Sequence, residues 1–287
     1  MKIATYQIDS LNPVFIMAEI GINHNGDLAI AKKLITEAKQ AGCNAVKFQK
    51  RTIDIVYTQK ELAAPRETPF GKTNGDLKRG LEFSLKDYQE IDRFCKELDI
   101  LWSASPWDED SVDFLAGFDV PFYKIAAASL TDAGLLRKIN SMGKPVLLST
   151  SMSELDEIDK AVALLDKENL ILMHCVSQYP ADPENIHLNV IHTLQKRYGT
   201  LVGYSGHELD TVISVAAVAM GACVVERHFT LDRTMWGSDQ KASIEPNEMT
   251  QLVKSIRLLE QAKGDPIPRC LPVEVPVKTK LRRVNSL

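Results

Sequence analysis

One feature limits the possible folds more than any other: short β-rich runs alternate with helical patterns along almost the whole chain. This alternation is typical of repeated βα units around a parallel sheet. Eight such units close into an α/β fold of the (β/α)₈ TIM-barrel type more readily than into a doubly wound open sheet, which is the alternative. The eight predicted strands are residues 14–20, 45–49, 100–104, 122–126, 145–149, 170–175, 200–204 and 222–228.

Apolar residues recur at helical spacing after these strands. The predicted helices are residues 28–41, 85–98, 111–116, 130–140, 154–165, 188–198, 209–220 and 246–263. The last of them begins with a proline and ends before Gly264, as helix ends prefer. We therefore expect a single barrel domain over residues 1–263. Residues 264–287 are expected to form an extended, proline-rich and basic tail that packs on the barrel or a second subunit and is no separate domain.

Residues 50–83 interrupt this alternation of strands and helices, because they form a segment far longer than an ordinary connection between a strand and its helix. Such a loop is usually a functional lid or carries a small hairpin. We expect it to cover the site, because it leaves the barrel beside Lys47 and Gln49. Its positive charges hint at an acceptor with a carboxylate or phosphate, although a solvated face is the commoner explanation: Arg51, Arg66, Lys72 and Arg79.

Composition excludes several classes of protein. The 287 residues are 45% hydrophobic and 25% charged, as in ordinary globular proteins. No apolar run approaches the about 18 residues of a membrane span, and the N-terminus lacks signal-peptide features, so we expect a cytoplasmic protein. The five cysteines form no CxxC pair, which predicts reduced core thiols. A net charge of −4 argues against nucleic acid as a partner.

Catalysis in a barrel of this kind occurs at the carboxyl ends of the strands. Lysines, hydroxyls, histidines and acids that meet at one mouth indicate a site for an anion and a metal ion. The residues at the predicted strand ends are Glu19, Lys47, Gln49, Ser103, Ser105, Lys124, Ser149, Thr150, His174, Ser177, Tyr179, Ser205, His207, Glu226 and His228.

Lys47 and Lys124 lie inside strongly apolar strands, where an unpaired charge is costly. Three interpretations stay open. The lysines could form inter-strand salt bridges, for instance with Glu19. They could instead bind a phosphate or carboxylate together with nearby hydroxyl groups. As a third possibility, one of them could form a Schiff base, since burial depresses the pKa of a lysine.

His207 and His228 follow adjacent strands, which are about 4.8 Å apart in a sheet. Both imidazoles could therefore reach one cation. Two histidines with oxygen ligands and open positions suit a divalent metal that acts as a Lewis acid. The alternative is that each histidine is an ordinary polar residue that is satisfied by hydrogen bonds.

Assembled in order, these segments closely resemble the sialic acid (N-acetylneuraminate) synthase family. The resemblance covers roughly residues 14–263. Its motifs here are AEIGINHNGD (18–27), VKFQ (46–49), SASPWDEDSVDFL (103–115), FYKIAAAS (122–129), PVLLSTSM (145–152), MHCVSQYPAD (173–182), VGYSGHE (202–208), VVERHFT (224–230) and GSDQKASIEP (237–246).

The resemblance implies that C3 of phosphoenolpyruvate joins a sugar aldehyde, water adds at C2 and phosphate leaves by C–O cleavage. It further implies a homo-oligomer, as a homodimer. His207 and His228 would bind the divalent metal, manganese or magnesium, and Glu19 would transfer a proton or stabilise the cation. The implied binding residues for phosphoenolpyruvate are Lys47, Ser105, Lys124, Ser149, Ser177 and Ser205, and those facing the sugar or the attacked carbonyl are Glu19, Gln49, Tyr179 and Asp239.

The sequence departs from the family pattern at three positions, Ala127, Ser129 and Gln240, where the family commonly has serine, an acid and histidine. Many members also continue into a small antifreeze-like domain. Only 24 residues follow Lys263 here, so we expect the barrel alone. Two other functions stay open: a class I aldolase that uses Lys47 or Lys124 covalently, and a catalytically inactive sugar-binding barrel.

Overall fold

The computed structural model describes residues 1–284, and a sheet of eight parallel strands forms its centre. Shorter antiparallel pairs lie near the N-terminus and in the long insertion. The strands are β1 (Lys2–Ile3), β2 (Tyr6–Gln7), β3 (Phe15–Gly21), β4 (Ala45–Lys50), β5 (Pro65–Thr68), β6 (Gly71–Thr73), β7 (Leu101–Pro106), β8 (Tyr123–Ile125), β9 (Val146–Ser149), β10 (Leu170–Cys175), β11 (Leu201–Gly206) and β12 (Val224–His228).

Helices surround the central sheet, and short ones occupy the insertion and the tail. They are α1 (Leu28–Ala41), α2 (Ile53–Val56), α3 (Gln59–Ala63), α4 (Asn74–Leu81), α5 (Leu85–Glu97), α6 (Glu109–Ala116), α7 (Ala133–Ser141), α8 (Leu155–Val162), α9 (Val190–Tyr198), α10 (Val212–Ala219), α11 (Pro246–Lys263) and α12 (Val275–Leu281).

The central sheet curves into a nearly closed barrel. Its hydrogen-bonded order is β7-β4-β3-β12-β11-β10-β9-β8. At the remaining seam, the hydroxyl of Ser103 on β7 donates to the carbonyl oxygen of Phe122, just before β8, at 2.6 Å. The predicted fold and all eight predicted strands are therefore confirmed, with bounds within two residues of those expected.

Two predicted helices are confirmed at both ends, α1 and α11. Others differ where a cap residue defines the true start. Asp132 accepts a hydrogen bond from the backbone N–H of Leu135, so α7 begins at Ala133 and not at residue 130. Likewise, Asp108 accepts from the N–H of Ser111, and α6 begins two residues before the predicted start.

Side chains alternate between the two faces of each strand, and this alternation layers the barrel interior. Phe15 and Met17 point inward near the bottom, with Phe122 and Leu147 beside them. Polar side chains take the inward positions towards the carboxyl ends. The helices pack on the outer, apolar face. The interior thus changes from an apolar base to a polar mouth.

The β1–β2 hairpin closes the bottom of the barrel, which the sequence did not predict. Ile3 is fully buried and Ile8 is almost so, and both pack in the same interior cluster as Phe15. A hairpin of two-residue strands has too short a pattern to be detected from sequence periodicity.

The insertion after β4 contains α2, α3, the β5–β6 hairpin and α4, so the expectation of a small hairpin is confirmed. Its two ends are joined, because the Lys50 ammonium lies 3.2 Å from a Glu82 carboxylate oxygen and Arg51 Nη1 lies 3.6 Å from the other. At the hairpin, Phe70 packs edge to face on Trp236, at 6.3 Å between ring centroids.

The tail differs from expectation. Its described part, residues 264–284, is exposed throughout and includes α12, so the expected extended conformation is wrong there, as is packing on the barrel. The last three residues, 285–287, lie outside the described chain. Cys270 in this tail is also exposed, whereas the other four cysteines are buried as expected. Among the described residues, no helix combines the length and apolarity needed to cross a membrane.

Candidate active site

A cavity of about 290 Å³ opens at the carboxyl ends of the barrel strands. The strands deliver inward-pointing side chains to it, and the loops after β10 and β12 complete the wall. The twelve residues to which the resemblance assigned roles all line this one cavity: Glu19, Lys47, Gln49, Ser105, Lys124, Ser149, Ser177, Tyr179, Ser205, His207, His228 and Asp239. Of the other predicted strand-end residues, Glu226 also lines it, and Ser103, Thr150 and His174 do not.

Both lysines are buried and paired. The Lys47 ammonium lies 2.7 Å from Glu19 Oε2 and donates to Ser105 Oγ at 2.9 Å. The Lys124 ammonium donates to Ser149 Oγ at 2.7 Å. The inter-strand salt bridge that the sequence offered as one interpretation of Lys47 is therefore present, and it lies within the cavity wall. Charge pairing and access to a ligand coexist at this position.

Glu226 joins the two lysines, although the sequence assigned it no role. Its carboxylate oxygens lie 3.5 Å from the Lys47 ammonium and 3.6 Å from the Lys124 ammonium. Burial opposes its ionisation, but Lys124 and Lys47 outweigh burial and hold the pKa of Glu226 at about 2. The available signal was strand alternation, which places Glu226 on the same inward face as His228.

Glu19 has the opposite character. Burial raises the pKa of its carboxyl group to about 7, with Lys47 opposing the shift and Glu226 adding to it. Gln49 Nε2 donates to Glu19 Oε1 at 3.0 Å, and Arg51 donates in turn to the Gln49 side-chain oxygen. A carboxyl group that has a pKa near 7 and is held in a fixed orientation is suited to exchanging a proton with a bound ligand.

The two histidines meet at the mouth, with 5.3 Å between ring centroids. His207 Nδ1–H donates to the carbonyl oxygen of Val176 at 2.6 Å, which leaves Nε2 available. Burial lowers the pKa of both rings, that of His207 to about 4 with His228 adding to the effect. Both imidazoles are therefore neutral at pH 7, the form that binds metals.

The donor set fits a divalent cation with open positions. His228 Nδ1 is buried without a hydrogen-bond partner in the described chain, and it lies 3.9 Å from Asp239 Oδ2. Within residues 1–284, no cluster of three or more histidine, cysteine or acidic side chains is arranged to hold a metal. A cation here would consequently depend on the two histidines, with water or substrate as its other ligands.

Two predicted residues enter from the loop after β10. Ser177 Oγ lies 2.6 Å from Ser151 Oγ, and Ser151, which the sequence did not single out, also lines the cavity. The ring of Tyr179 lies 4.2 Å from the ring of His207 and is 49% exposed. Tyr179 therefore stands at the rim, where an incoming ligand would pass.

The insertion contributes Arg51, which the sequence singled out, and Tyr57 and Lys78, which it did not. Arg51 stacks on Trp107 at 4.3 Å, and the Lys78 ammonium lies 4.9 Å from the Tyr57 ring. Of the four insertion charges named from sequence, Arg51 alone lines this cavity, and Arg66 lines a neighbouring one that shares Lys78. No local pattern marks Lys78, because only the folding of the insertion brings it to the site.

His174 does not belong to the site, so its placement at the mouth was wrong. It points outward from β10, and its Nε2 lies 2.7 Å from the carbonyl oxygen of Ile186. Strand alternation explains this, because the inward positions of β10 are those of Met173 and Cys175.

Gln240 has a structural role that accounts for one departure from the family pattern. Its side chain is fully buried, accepts from the hydroxyl of Thr230, and donates to the carbonyl oxygens of Asn23 and Trp236. It therefore fixes the loop after β12, which carries Asp239.

Comparison with known proteins identifies the relatives of this chain. The model of the NeuB family matches residues 34–268. The chain is 42% identical to human N-acetylneuraminate-9-phosphate synthase over 275 residues, covering 94% of this chain and 77% of the human protein. It is 38% identical to N,N'-diacetyllegionaminic acid synthase of Campylobacter jejuni over 267 residues, covering 90% of this chain and 80% of that protein. A crystal structure of N-acetylneuraminic acid synthetase from Leptospira borgpetersenii, in complex with citrate, superposes with a TM-score of 0.87 at 31% identity, covering 99% of this chain and 98% of that one.

Proposed function

The chain belongs to the NeuB family, and from that premise we propose that it condenses phosphoenolpyruvate with a sugar aldehyde to give a 3-deoxy-2-ulosonic acid of the sialic acid type. The related synthases make N-acetylneuraminate 9-phosphate and N,N'-diacetyllegionaminic acid. One observation carries the proposal: two buried lysines and two buried histidines face the same cavity at the barrel mouth. That cavity combines an anion-binding wall with a cation-binding wall.

The lysine wall suits the donor. Lys47 and Lys124 would hold the phosphate and carboxylate of phosphoenolpyruvate, and Ser105 and Ser149 already accept hydrogen bonds from these two ammonium groups. Ser177 and Ser205, also in the wall, would add neutral donors. Charge-assisted hydrogen bonds from several directions fix both the position and the orientation of such an anion.

The residues around Glu19 and at the rim of the cavity suit the acceptor. C3 of phosphoenolpyruvate forms a bond to the aldehyde carbon, and the former carbonyl oxygen takes up a proton. Water adds at the cationic C2 with loss of one proton. The C2–O bond to phosphate then breaks, with the electron pair leaving on phosphate, as the new C2 hydroxyl loses its proton and becomes the carbonyl group of the product. Glu19, beside Gln49 and Lys47, is placed to exchange one of these protons or to stabilise the cationic carbon. Tyr179 and Asp239 would contact the sugar.

His207 and His228 would hold a divalent cation, manganese or magnesium. Bound there, the cation would polarise the aldehyde oxygen as a Lewis acid. The chain prepares this site by keeping both rings neutral and by orienting His207 through the Val176 carbonyl.

The class I aldolase is not favoured. A Schiff-base lysine must lose its proton, yet the carboxylates of Glu19 and Glu226 overcome the effect of burial and raise the pKa of Lys47. The inactive sugar-binding barrel is not favoured either, since the relatives are synthases. Borohydride with pyruvate should leave the protein unmarked, whereas a Schiff-base aldolase would be trapped covalently.

The direct test is phosphate release from phosphoenolpyruvate with added manganese or magnesium, measured over a panel of aldoses and their phosphates. We expect release that depends on both an aldose and the metal. The charged side chains of Arg51 and Lys78 in the wall favour acceptors that carry an anionic group. Phosphate release without any aldose, or none with the whole panel, would contradict the proposal.

A further inference from the structure

A fully buried charged cluster lies on the outer side of the barrel, between β11, β12 and α10, and the proposed chemistry does not use it. Arg227 Nη1 lies 3.0 Å from Glu208 Oε1, and the two side chains are 0% and 2% exposed. Tyr204 Oη donates to Glu208 Oε2 at 2.8 Å. Ser214 Oγ accepts from Arg227 Nη1 at 2.9 Å and donates to Glu208 Oε1 at 3.0 Å.

Each charged member is the chain neighbour of a site histidine. Glu208 follows His207, and Arg227 precedes His228. Arg227 and His228 are successive residues of β12 and point to opposite faces. Just after the end of β11, His207 lines the cavity while Glu208 meets Arg227 behind it. The ion pair therefore connects the backbones that carry the two imidazoles.

The sheet itself does not fix His207 against β12. Pairing between β11 and β12 ends at Gly206 opposite Arg227, one residue before His207. Beyond that point, Arg227 Nη2 donates to the carbonyl oxygen of Glu208, and Nη1 donates to the carbonyl oxygen of Asp210 at 3.2 Å. The guanidinium thus continues the connection between the two chain segments where the backbone ladder stops.

The backbone next to the Glu208 carboxylate is a glycine. A Cβ atom at position 206 would lie 2.6 Å from Glu208 Oε2, so Gly206 makes room for it. Buried ion pairs are seldom a net source of stability compared with well-packed apolar residues. A buried arginine with four acceptor contacts, on the segment after β11 and on α10, is better explained by the geometry that it imposes.

We propose that Arg227 and Glu208 are positioning residues that set the separation and orientation of His207 and His228 for a divalent cation. This inference rests on the cation site of the proposed function. Residues that orient metal-binding side chains typically change metal affinity by about 10–100-fold when they are replaced. Loss of the ion pair should therefore reduce the affinity for the cation more than it reduces the stability of the fold.

The test measures binding of manganese alone, without substrate, from the electron paramagnetic resonance signal of the free ion. The double variant Arg227→Met with Glu208→Leu replaces the pair by apolar side chains and should bind manganese about 10–100-fold more weakly. Its thermal unfolding midpoint should remain close to that of the unaltered protein. Arg227→Lys keeps the charge but cannot make all the same hydrogen bonds, so it should also lose affinity.

Two further variants separate the possible failures. Asp159→Leu with Arg197→Met removes an exposed ion pair between α8 and α9 and should leave manganese binding unchanged. His207→Ala should abolish binding. If the double variant binds manganese as tightly as the unaltered protein while His207→Ala does not, the positioning role of Arg227 and Glu208 is overturned and the cation site stands. If the double variant does not fold, the same criterion applies to Arg227→Lys. If the unaltered protein binds no manganese, the cation site fails and the inference fails with it.

Discussion

At the residue scale, the cavity depends on buried charges that compensate one another. Lys47 and Lys124 lie on either side of Glu226, and Glu19 pairs with Lys47. Any of these charges would be costly to bury alone. Together they allow a small barrel mouth to present two cations to an anionic ligand.

The first prediction concerns Lys124. Lys124→Met should weaken binding of phosphoenolpyruvate by about 2–5 kcal/mol, because an anionic group would remain unpaired in a partly dry site. Isothermal titration measures this effect. Lys144→Met, which removes a lysine paired with Asp119 on the surface, is the matched control and should bind normally. Unchanged affinity in Lys124→Met would refute the donor assignment.

The second prediction concerns the histidine pair. His207→Ala and His228→Ala should each abolish turnover and leave the fold intact, because the barrel mouth contributes less to stability than the core. Steady-state phosphate release and circular dichroism measure the two properties. His192→Ala, on the exposed side of α9, should remain active. Full activity after thorough chelation would argue against this role.

The third prediction concerns His24, which is buried and stacks on Phe83 at 4.0 Å between ring centroids. Burial lowers its pKa to about 3, from the usual histidine value of about 6.5. Below pH 6.5 the unfolded chain therefore binds a proton that the folded chain does not, and stability falls as pH falls towards 3.

Between pH 7.5 and 5.5, this single group should remove about 1.4 kcal/mol of stability. Urea unfolding at both pH values measures the loss for the unaltered protein and for His24→Gln, in which the other titrating groups are unchanged. The unaltered protein should lose more unfolding free energy than His24→Gln by this amount. Equal pH dependence of the two proteins would show that His24 is protonated in the folded state.

At the element scale, the insertion and the tail differ in how they relate to the site. The insertion supplies Arg51, Tyr57 and Lys78 to the cavity wall, and its ends are joined by Glu82. The tail is exposed throughout its described length. The insertion is thus the element that can shield the cationic carbon from water.

The fourth prediction follows from this difference. Cleavage within residues 60–80 should strongly reduce turnover, whereas trimming after Gly264 should leave it nearly unchanged. Limited proteolysis at a protease sequence engineered at each position, followed by the phosphate-release assay, compares the two directly. The reverse result would mean that the tail, and not the insertion, covers the site.

At the scale of the whole molecule, the two ends of the barrel have different roles, one in function and the other in stability. The polar mouth carries the proposed chemistry, and the apolar base is closed by the N-terminal hairpin. Ile3 and Ile8 exclude water from the interior beneath the buried charges. Changes at the base should therefore alter stability and leave ligand binding in place.

The fifth prediction tests this division. Ile3→Ala should lower the free energy of unfolding by about 2–5 kcal/mol, since it opens a cavity in a closely packed cluster. Its affinity for phosphoenolpyruvate at 25 °C should not change. Ile267→Ala, at a side chain that is 66% exposed, is the control and should have little effect on stability. Denaturant unfolding measures all three proteins, and equal midpoints for Ile3→Ala and the unaltered protein would contradict a sealing role.

The amino-acid sequence by itself determined the eight strands, most helices and the set of residues at the barrel mouth. These features follow from local periodicity and from the rule that the carboxyl ends of parallel strands meet. That rule brought residues as distant as Glu19 and His228 to one cavity, whereas Asp239 was implied by the family resemblance alone. It also misplaced His174, because a residue near a strand end can still point outward.

The tertiary structure decided what no local pattern encodes. Glu226 became the partner of both lysines only once neighbouring strands fixed its distance from them. The hairpin at the base, the Lys78 side chain in the wall and the Arg227–Glu208 pair depend on contacts between segments far apart in the chain. Periodicity reports which face of an element is buried, whereas the identity of the neighbour across that face is set by packing.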